Sequence, residues 1–295
     1  MKKLLCLFLT LSFLLAQPMV VNGWGDRGHE ISGLSAALKM PADTPQFFLQ
    51  AYPQLSYLNP EPDRWRERAE SDLDPAVKSY SFDHYIDLEL IPSGGLNLPD
   101  RYAFADAMAK AGKKSNDAGF LPYQILEGFQ KLRMEFRLWR QATDPIKRAM
   151  IEQQIITVAG IMGHYVADGA NPHHTTIHHN GWIGDDPKGY STDKQLHYRF
   201  ESVYVSSHIN INDVLPLVGA ATVLEHPRED VISYLQKSRS LLETLYDLEK
   251  KESFSENTKS QEHKDFVAGR LAAGSQMLRD LWWTAWVTSE VKPKN

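Results

Sequence analysis

Two long stretches set what this chain can fold into. PYQILEGFQKLRMEFRLWRQA (122–142) and DPIKRAMIEQQIITVAGIMGHYVADGA (144–170) repeat apolar residues three and four positions apart over several turns. That spacing lines one face of a helix, and both runs exceed the usual length of a strand, about ten residues. Pro122 near the start of the first, an Asp-Pro pair opening the second and Gly169 closing it are helix punctuation. HEISGLSAALKM and TPQFFLQAYPQL predict two shorter helices, and further helices are expected over 193–207, 212–222, 228–252 and 262–289. No segment sustains the period-two alternation of a strand. IPSGGLNLPD (91–100) and the Gly-, Pro- and Asp-rich 179–193 read as long loops. With no repeat, low-complexity linker or break in composition, the expectation is one all-α, multi-helix domain.

The first 23 residues differ. Lys2 and Lys3 precede an apolar run from Leu4 to Ala16, and the stretch closes on Val21 and Gly23. This is the layout of a secretory signal, with a run short for a membrane span; an uncleaved anchor is the alternative. The expected mature chain, 24–295, is secreted or periplasmic and starts at Trp24. The only cysteine, Cys6, falls in the signal, so the mature chain would have no disulfide and would draw its stability from its core, bound metal or both. The net charge of −5 becomes −7 once Lys2 and Lys3 are removed. That balance argues against broad binding of duplex nucleic acid, though not against a local site where bound cations reverse the sign.

Six of the eleven histidines lie between 164 and 197. GHYVAD sets His164 and Asp168 four apart, and LHYRFES does the same for His197 and Glu201. On a helix that spacing stacks the two side chains on one face, where imidazole nitrogen and carboxylate oxygen can grip one ion of the zinc class. One such pair reads as an ion pair; two pairs flanking NPHHTTIHHNGW, with His174 ten residues past His164, read as a metal centre. In GWGDRGHE, cleavage after Gly23 would give Trp24 a free amine, a feasible metal ligand, five residues before His29.

WGDRGH, DHYID, GHYVADGANPHH and LHYRFE, in this order over essentially the whole of 24–295, resemble the zinc-dependent phospholipase C and single-strand-specific nuclease superfamily, which includes the fungal nuclease called P-one. The resemblance implies an all-α fold with three zinc ions in a cleft. One ion would take Asp63, His84, His164 and Asp168; a second the Trp24 amine and carbonyl, His29 and Asp168; a third His174, His197 and Glu201. PDRWR favours Asp63, and Asp72 and Asp74 are its rivals. The implied chemistry is hydrolysis of a phosphate ester by a water shared between the two ions that Asp168 bridges, with the third ion steadying the leaving alkoxide. Asp63 would orient the attacking water. No protein partner is implied, and a monomer is expected.

The opening WGxxGH, with His29 five residues after Trp24, is similar to the nuclease branch, and Tyr85 and Asp87 stand where a base would be stacked and hydrogen-bonded. That branch's Gly-Gly-Asn base-pocket motif is absent, and HHNGW offers only Asn180 as a loose equivalent. Glu201 stands where the nucleases carry aspartate and matches the phospholipases instead. The favoured expectation is an endonuclease of single-stranded DNA or RNA, with possible 3′-nucleotidase activity. The alternatives are a phospholipase C acting on phospholipid head groups and, more remotely, a non-catalytic zinc-stabilised binding protein. Arg64 and Arg66 read as solvated helix-start charges, and His208, His226 and His263 as surface residues. His173 and His178 are expected beside the ligands rather than among them. Trp282, Trp283 and Trp286 at helical spacing read as core, and an exposed aromatic patch there would favour a lipid substrate.

Overall fold

A computed structural model describes residues 24–186 and 188–290; the signal segment and Cys6 lie outside the described residues. Eight helices carry the fold: α1 (Gly25–Leu38), α2 (Tyr52–Leu58), α3 (Arg101–Lys110), α4 (Leu121–Gln141), α5 (Pro145–Asp168), α6 (Pro227–Arg239), α7 (Leu242–Lys251) and α8 (Gln261–Thr288). Among the described residues there is no strand, and the chain forms one all-α domain. No described helix is long and apolar enough to cross a membrane.

The Asp144 carboxylate starts α5 by accepting hydrogen bonds from the Ile146 and Lys147 amides at 2.8 and 3.1 Å. α4 and α5 pack along each other, α8 crosses α1, α4 and α5, and α1 rests on α2. A large core forms around Phe48, Phe136, Leu278 and Trp282, and a second around Trp24, Phe200, Tyr204, Tyr246 and Phe254. The end of α5 belongs to both: Tyr165 and Val166 face the first core and Ala167 the second. His164 and Asp168 therefore sit in the seam between two packed layers, a rigid and dry position.

The expected helices over 44–55, 228–252 and 212–222 need correction. The first is two helices broken at Ala51, with Pro53 starting the second; the next divides into α6 and α7. In the third only Ile211–Val214 is α-helical, followed by a 3₁₀ turn at Leu215–Leu217. Beyond it α8 supplies the backbone's partners: Gln276 accepts from the Gly219 amide, Asp280 from Thr222 and Thr284 from Leu224, each at 2.9 Å. The buried Arg279 donates to the Gly219 and Ala220 carbonyls. Backbone groups satisfied by a neighbouring helix do not need a helix of their own. α3, opened by Asp100 accepting from the Tyr102 and Ala103 amides, was not expected.

Two histidine readings divide. His226 is exposed, but His263 is buried, with Nε2 against the Leu248 and Glu252 carbonyls, where it ties the start of α8 to the end of α7. The Trp cluster of α8 is core: Trp282 is fully buried, and Trp286 is covered by Phe136, Trp139 and Arg140.

Candidate metal centre

Asn59, which follows α2, organises the site. Its side-chain oxygen meets His29 Nδ1 at 3.2 Å, and its backbone carbonyl accepts from His164 Nδ1 at 2.9 Å. A carbonyl can only accept, so His164 Nδ1 carries the hydrogen and Nε2 is left with its lone pair facing inward. Gly163 makes this possible, because a Cβ there would lie 2.2 Å from the Asn59 amide nitrogen. His174 is fixed in the same way: its Nδ1 donates to the His84 carbonyl at 2.6 Å, which turns Nε2 toward Glu201.

Around Asp168 the ring nitrogens converge. Asp168 Oδ2 lies 3.0 Å from His84 Nδ1 and 3.2 Å from His164 Nε2, while Asp63 Oδ1 lies 3.6 and 3.7 Å from the same atoms. The other oxygen, Asp168 Oδ1, is 3.4 Å from His29 Nε2, and Asp63 Oδ2 is 3.9 Å from it. In a tetrahedron with zinc-ligand bonds near 2.05 Å, ligand atoms stand about 3.3 Å apart. These separations scatter about that value. In a second cluster, Glu201 Oε2 lies 2.7 Å from His197 Nε2 and 3.5 Å from His174 Nε2. Glu201 sits in a π-helical turn, Arg199–Tyr204, within the short helix that also carries His197, and the Asn171 amide donates to it at 3.1 Å. Such wide turns recur at functional sites because they re-aim one side chain without breaking the helix.

All eight of these side chains are buried. Eight of their atoms, His29 Nε2, Asp63 Oδ2, His84 Nε2, Asp168 Oδ1, His174 Nε2, His197 Nδ1 and Nε2, and Glu201 Oε1, have no hydrogen-bond partner. Buried polar atoms without hydrogen bonds are costly, and so many within two His/carboxylate clusters fit bound cations. The buried His, Asp and Glu groups could hold metal ions, in the combinations His29–Asp63–His164, His84–His164–Asp168 and His174–His197–Glu201. The electrostatics agree. Burial would lift Asp168, but His174 and His164 outweigh it and hold the carboxyl well below the usual range. Burial presses His84 down to about 3 and His197 well below its ordinary value, so both are neutral lone-pair donors near neutral pH. Glu201 is pushed well above the carboxylate range by burial and then by Asp168, a bias that a bound cation would reverse.

Trp24 is buried one turn from this cluster, its indole donating to the Ala167 carbonyl at 2.7 Å and its own carbonyl accepting from the Gly28 amide at 3.1 Å. Asp72 and Asp74 are exposed: Asp72 pairs with Arg68, and Asp74 caps the turn at Pro75–Asp83. Of the three aspartates, only Asp63 enters the cluster.

A cavity of about 270 Å³ opens beside the cluster, lined by Arg66, His84, Tyr85, Asp87, Asp117, His174, His179, Asn180 and His197 among others. Burial and the neighbouring Glu89 push Asp87 up to about 7, and its buried Oδ1 has no partner; neither has Asn180 Oδ1. The Tyr85 hydroxyl donates to the Asn116 carbonyl at 2.7 Å. Gly119, at φ +83°, is needed here, because a Cβ would come within 2.1 Å of the Tyr85 carbonyl oxygen. The reading of Arg66 as a solvated charge is corrected: it pairs with Asp63, is 13% exposed and lines the cavity. Its signal was present in PDRWR, where an arginine three residues past a helical aspartate shares its face. Asn59, Asn171 and Gly163 were missed, since nothing local marks a residue whose partners lie on other helices. His173 is buried against Phe200, Tyr246 and His197, behind the second cluster.

No protein-family model matches this chain, and no curated protein matches it. A crystal structure of alpha-toxin from Clostridium perfringens, isolated from avian strain SWCP, resembles it at a TM-score of 0.36 and 15% identity, over 93% of this chain and 66% of that one. The chain thus spans just under two thirds of the alpha-toxin's length.

Proposed function

We propose that this protein is an exported zinc-dependent phosphodiesterase that cleaves single-stranded nucleic acid. The observation that carries the reading is the divided carboxylate of Asp168, with Oδ2 facing His84 and His164 and Oδ1 facing His29, the arrangement of a ligand shared by two ions. His84, His164, Asp63 and Asp168 would hold one zinc ion, His29 and Asp168 with the Trp24 amine and carbonyl a second, and His174, His197 and Glu201 a third. Bound zinc supplies Lewis-acid polarisation of the phosphate and acidifies water near neutral pH. The chain's own groups do the rest. Arg66, on the cavity wall, would neutralise a non-bridging phosphate oxygen, and its pairing with Asp63 holds the guanidinium in place. Asp63, pressed toward its ionised form by His164 and Arg66 against the effect of burial, would accept a proton contact from the attacking water. Asp87 and Asn180 would accept hydrogen bonds from the edge of a base lying against Tyr85.

One observation favours phospholipid as a second reading. Asp87 and Asp117 beside the Tyr85 ring would also suit a quaternary ammonium head group. Against it, the α8 tryptophans are packed into the protein, leaving no aromatic patch there to meet a membrane. The test is a parallel assay of single-stranded DNA, RNA and phosphatidylcholine with the zinc-loaded protein. Cleavage of the nucleic acids is expected. Turnover of phosphatidylcholine alone would replace this reading with the second, and turnover of none would remove both.

A further inference from the structure

A second concavity, of about 290 Å³, is lined in part by Trp65, the residue between Arg64 and Arg66. Its walls are Trp65, Gln124, Lys131, Val158, Met162 and Tyr165. It adjoins the metal-site cavity at two points. Trp65 is the chain neighbour of Arg66, which lines the first cavity, and the Tyr165 ring packs edge-on against His84, another of its walls, at 5.3 Å. The two hollows thus adjoin through the Trp65–Arg66 step of the chain and the Tyr165–His84 contact.

We propose that this groove is a second substrate subsite, holding the nucleotide adjacent to the one in the Tyr85–Asp87 cavity, with its base against the Trp65 indole and its phosphate at Lys131 Nζ. The proposal rests on the nucleic-acid reading above and adds where the second branch of the diester goes. Three observations carry it. The Trp65 indole is half-buried, with its nitrogen held by Glu61 Oε1 at 3.2 Å, so the ring is fixed and its polar edge already satisfied. That is the condition of a stacking platform, which reads a base by its face and not its edge. Lys131 is exposed on the groove wall of a chain with net charge −5, a local cation of the sign a phosphate needs. Val158 and Met162 give the groove apolar surface, and the Gln124 side-chain oxygen among its walls already accepts from Arg101 at 2.9 Å, so a base there would be held by its face on Trp65.

The experiment uses Trp65→Leu and Lys131→Gln, neither of which touches the metal cluster. Hydrolysis of a 3′-mononucleotide, which fills only the Tyr85–Asp87 cavity, and of a hexanucleotide is compared, along with equilibrium binding of a fluorescein-labelled hexathymidylate by anisotropy, which needs no turnover. The wild-type protein is expected to prefer the longer substrate. Each variant should lose on the order of tenfold in kcat/KM and in affinity for the hexamer while keeping 3′-mononucleotide turnover and zinc content. Equal losses on both substrates would reduce these residues to structural ones and overturn the subsite, as would no loss on either. Variants that alter turnover of short-chain phosphatidylcholine but not hexamer binding would assign the groove to an acyl chain and overturn it as well. If the wild-type protein cleaves no nucleic acid but binds the hexamer through Trp65 and Lys131, the nuclease reading fails and the subsite stands. No hexamer binding by the wild-type protein overturns both.

Discussion

Stripping metal from this protein should lower its stability on a scale set by six buried atoms. Leaving aside His84 Nε2 and His197 Nδ1, the ring nitrogens opposite those that meet the carboxylates, His29 Nε2, Asp63 Oδ2, Asp168 Oδ1, His174 Nε2, His197 Nε2 and Glu201 Oε1 make no hydrogen bond, and their residues are at most 6% exposed. An unsatisfied buried polar group costs about 1–3 kcal/mol, and water entering an emptied site would recover part of that, so the low end applies and the total is about 6 kcal/mol. In a domain of this size each kcal/mol moves Tm by about 2–4 °C, which gives a fall of about 12–24 °C. The assay is thermal unfolding followed by circular dichroism, on protein dialysed against a chelator and on the same sample after zinc is restored, with metal content measured in both. Recovery on adding zinc separates ligand linkage from damage done by the chelator. If verified loss of metal moves Tm by no more than one such atom is worth, the orphaned atoms are not metal ligands and the centre must be abandoned.

Other measurements probe the parts separately. Asp87 has its pKa raised from 3.8 to about 7, so its contribution to stability is present below pH 3.8 and lost as pH rises through about 7. Asp87→Asn should therefore be more stable than the wild type above pH 7, by up to about 4 kcal/mol, and lose that advantage below about pH 4. The wild-type KM for a base that donates to Asp87 should fall as pH rises through about 7, and a flat profile would remove Asp87 from substrate binding. Asn59→Ala deprives His29 of its Nδ1 partner and should weaken zinc binding by about 10–100-fold in competition with a chelating dye; unchanged affinity would contradict its orienting role. Gly119→Ala places a methyl against the Tyr85 carbonyl at a left-handed backbone position and should cost at least 1–3 kcal/mol by denaturant unfolding. Extra residues before Trp24 should lower the zinc count by one, and full occupancy in such a protein would strike Trp24 from the ligand set.

What could be read from the chain before its fold was known depended on distance along it. The long helices α4, α5 and α8 were legible because each satisfies its own hydrogen bonds and shows its buried stripe every three to four residues. His164 with Asp168 and His197 with Glu201 were legible for the same reason, since a spacing of four fixes a shared face in advance. Where partners lie far apart, the local pattern misleads. Residues 218–222 look helical but are held open by Gln276, Arg279 and Asp280 of α8, and His263 looks like a surface residue but joins two helices.

By itself the sequence determined the helical class, the two His–carboxylate pairs spaced by four and the acidic, disulfide-free character expected of the mature chain. Only the tertiary structure brought Asp63, and not Asp72 or Asp74, into the histidine cluster, drew Arg66 out of solvent, and disclosed Asn59 turning two imidazoles inward across the gap that Gly163 leaves. The physical reason is that a buried polar atom is defined by what surrounds it, and here the surroundings of each come from three or more helices that meet only on folding.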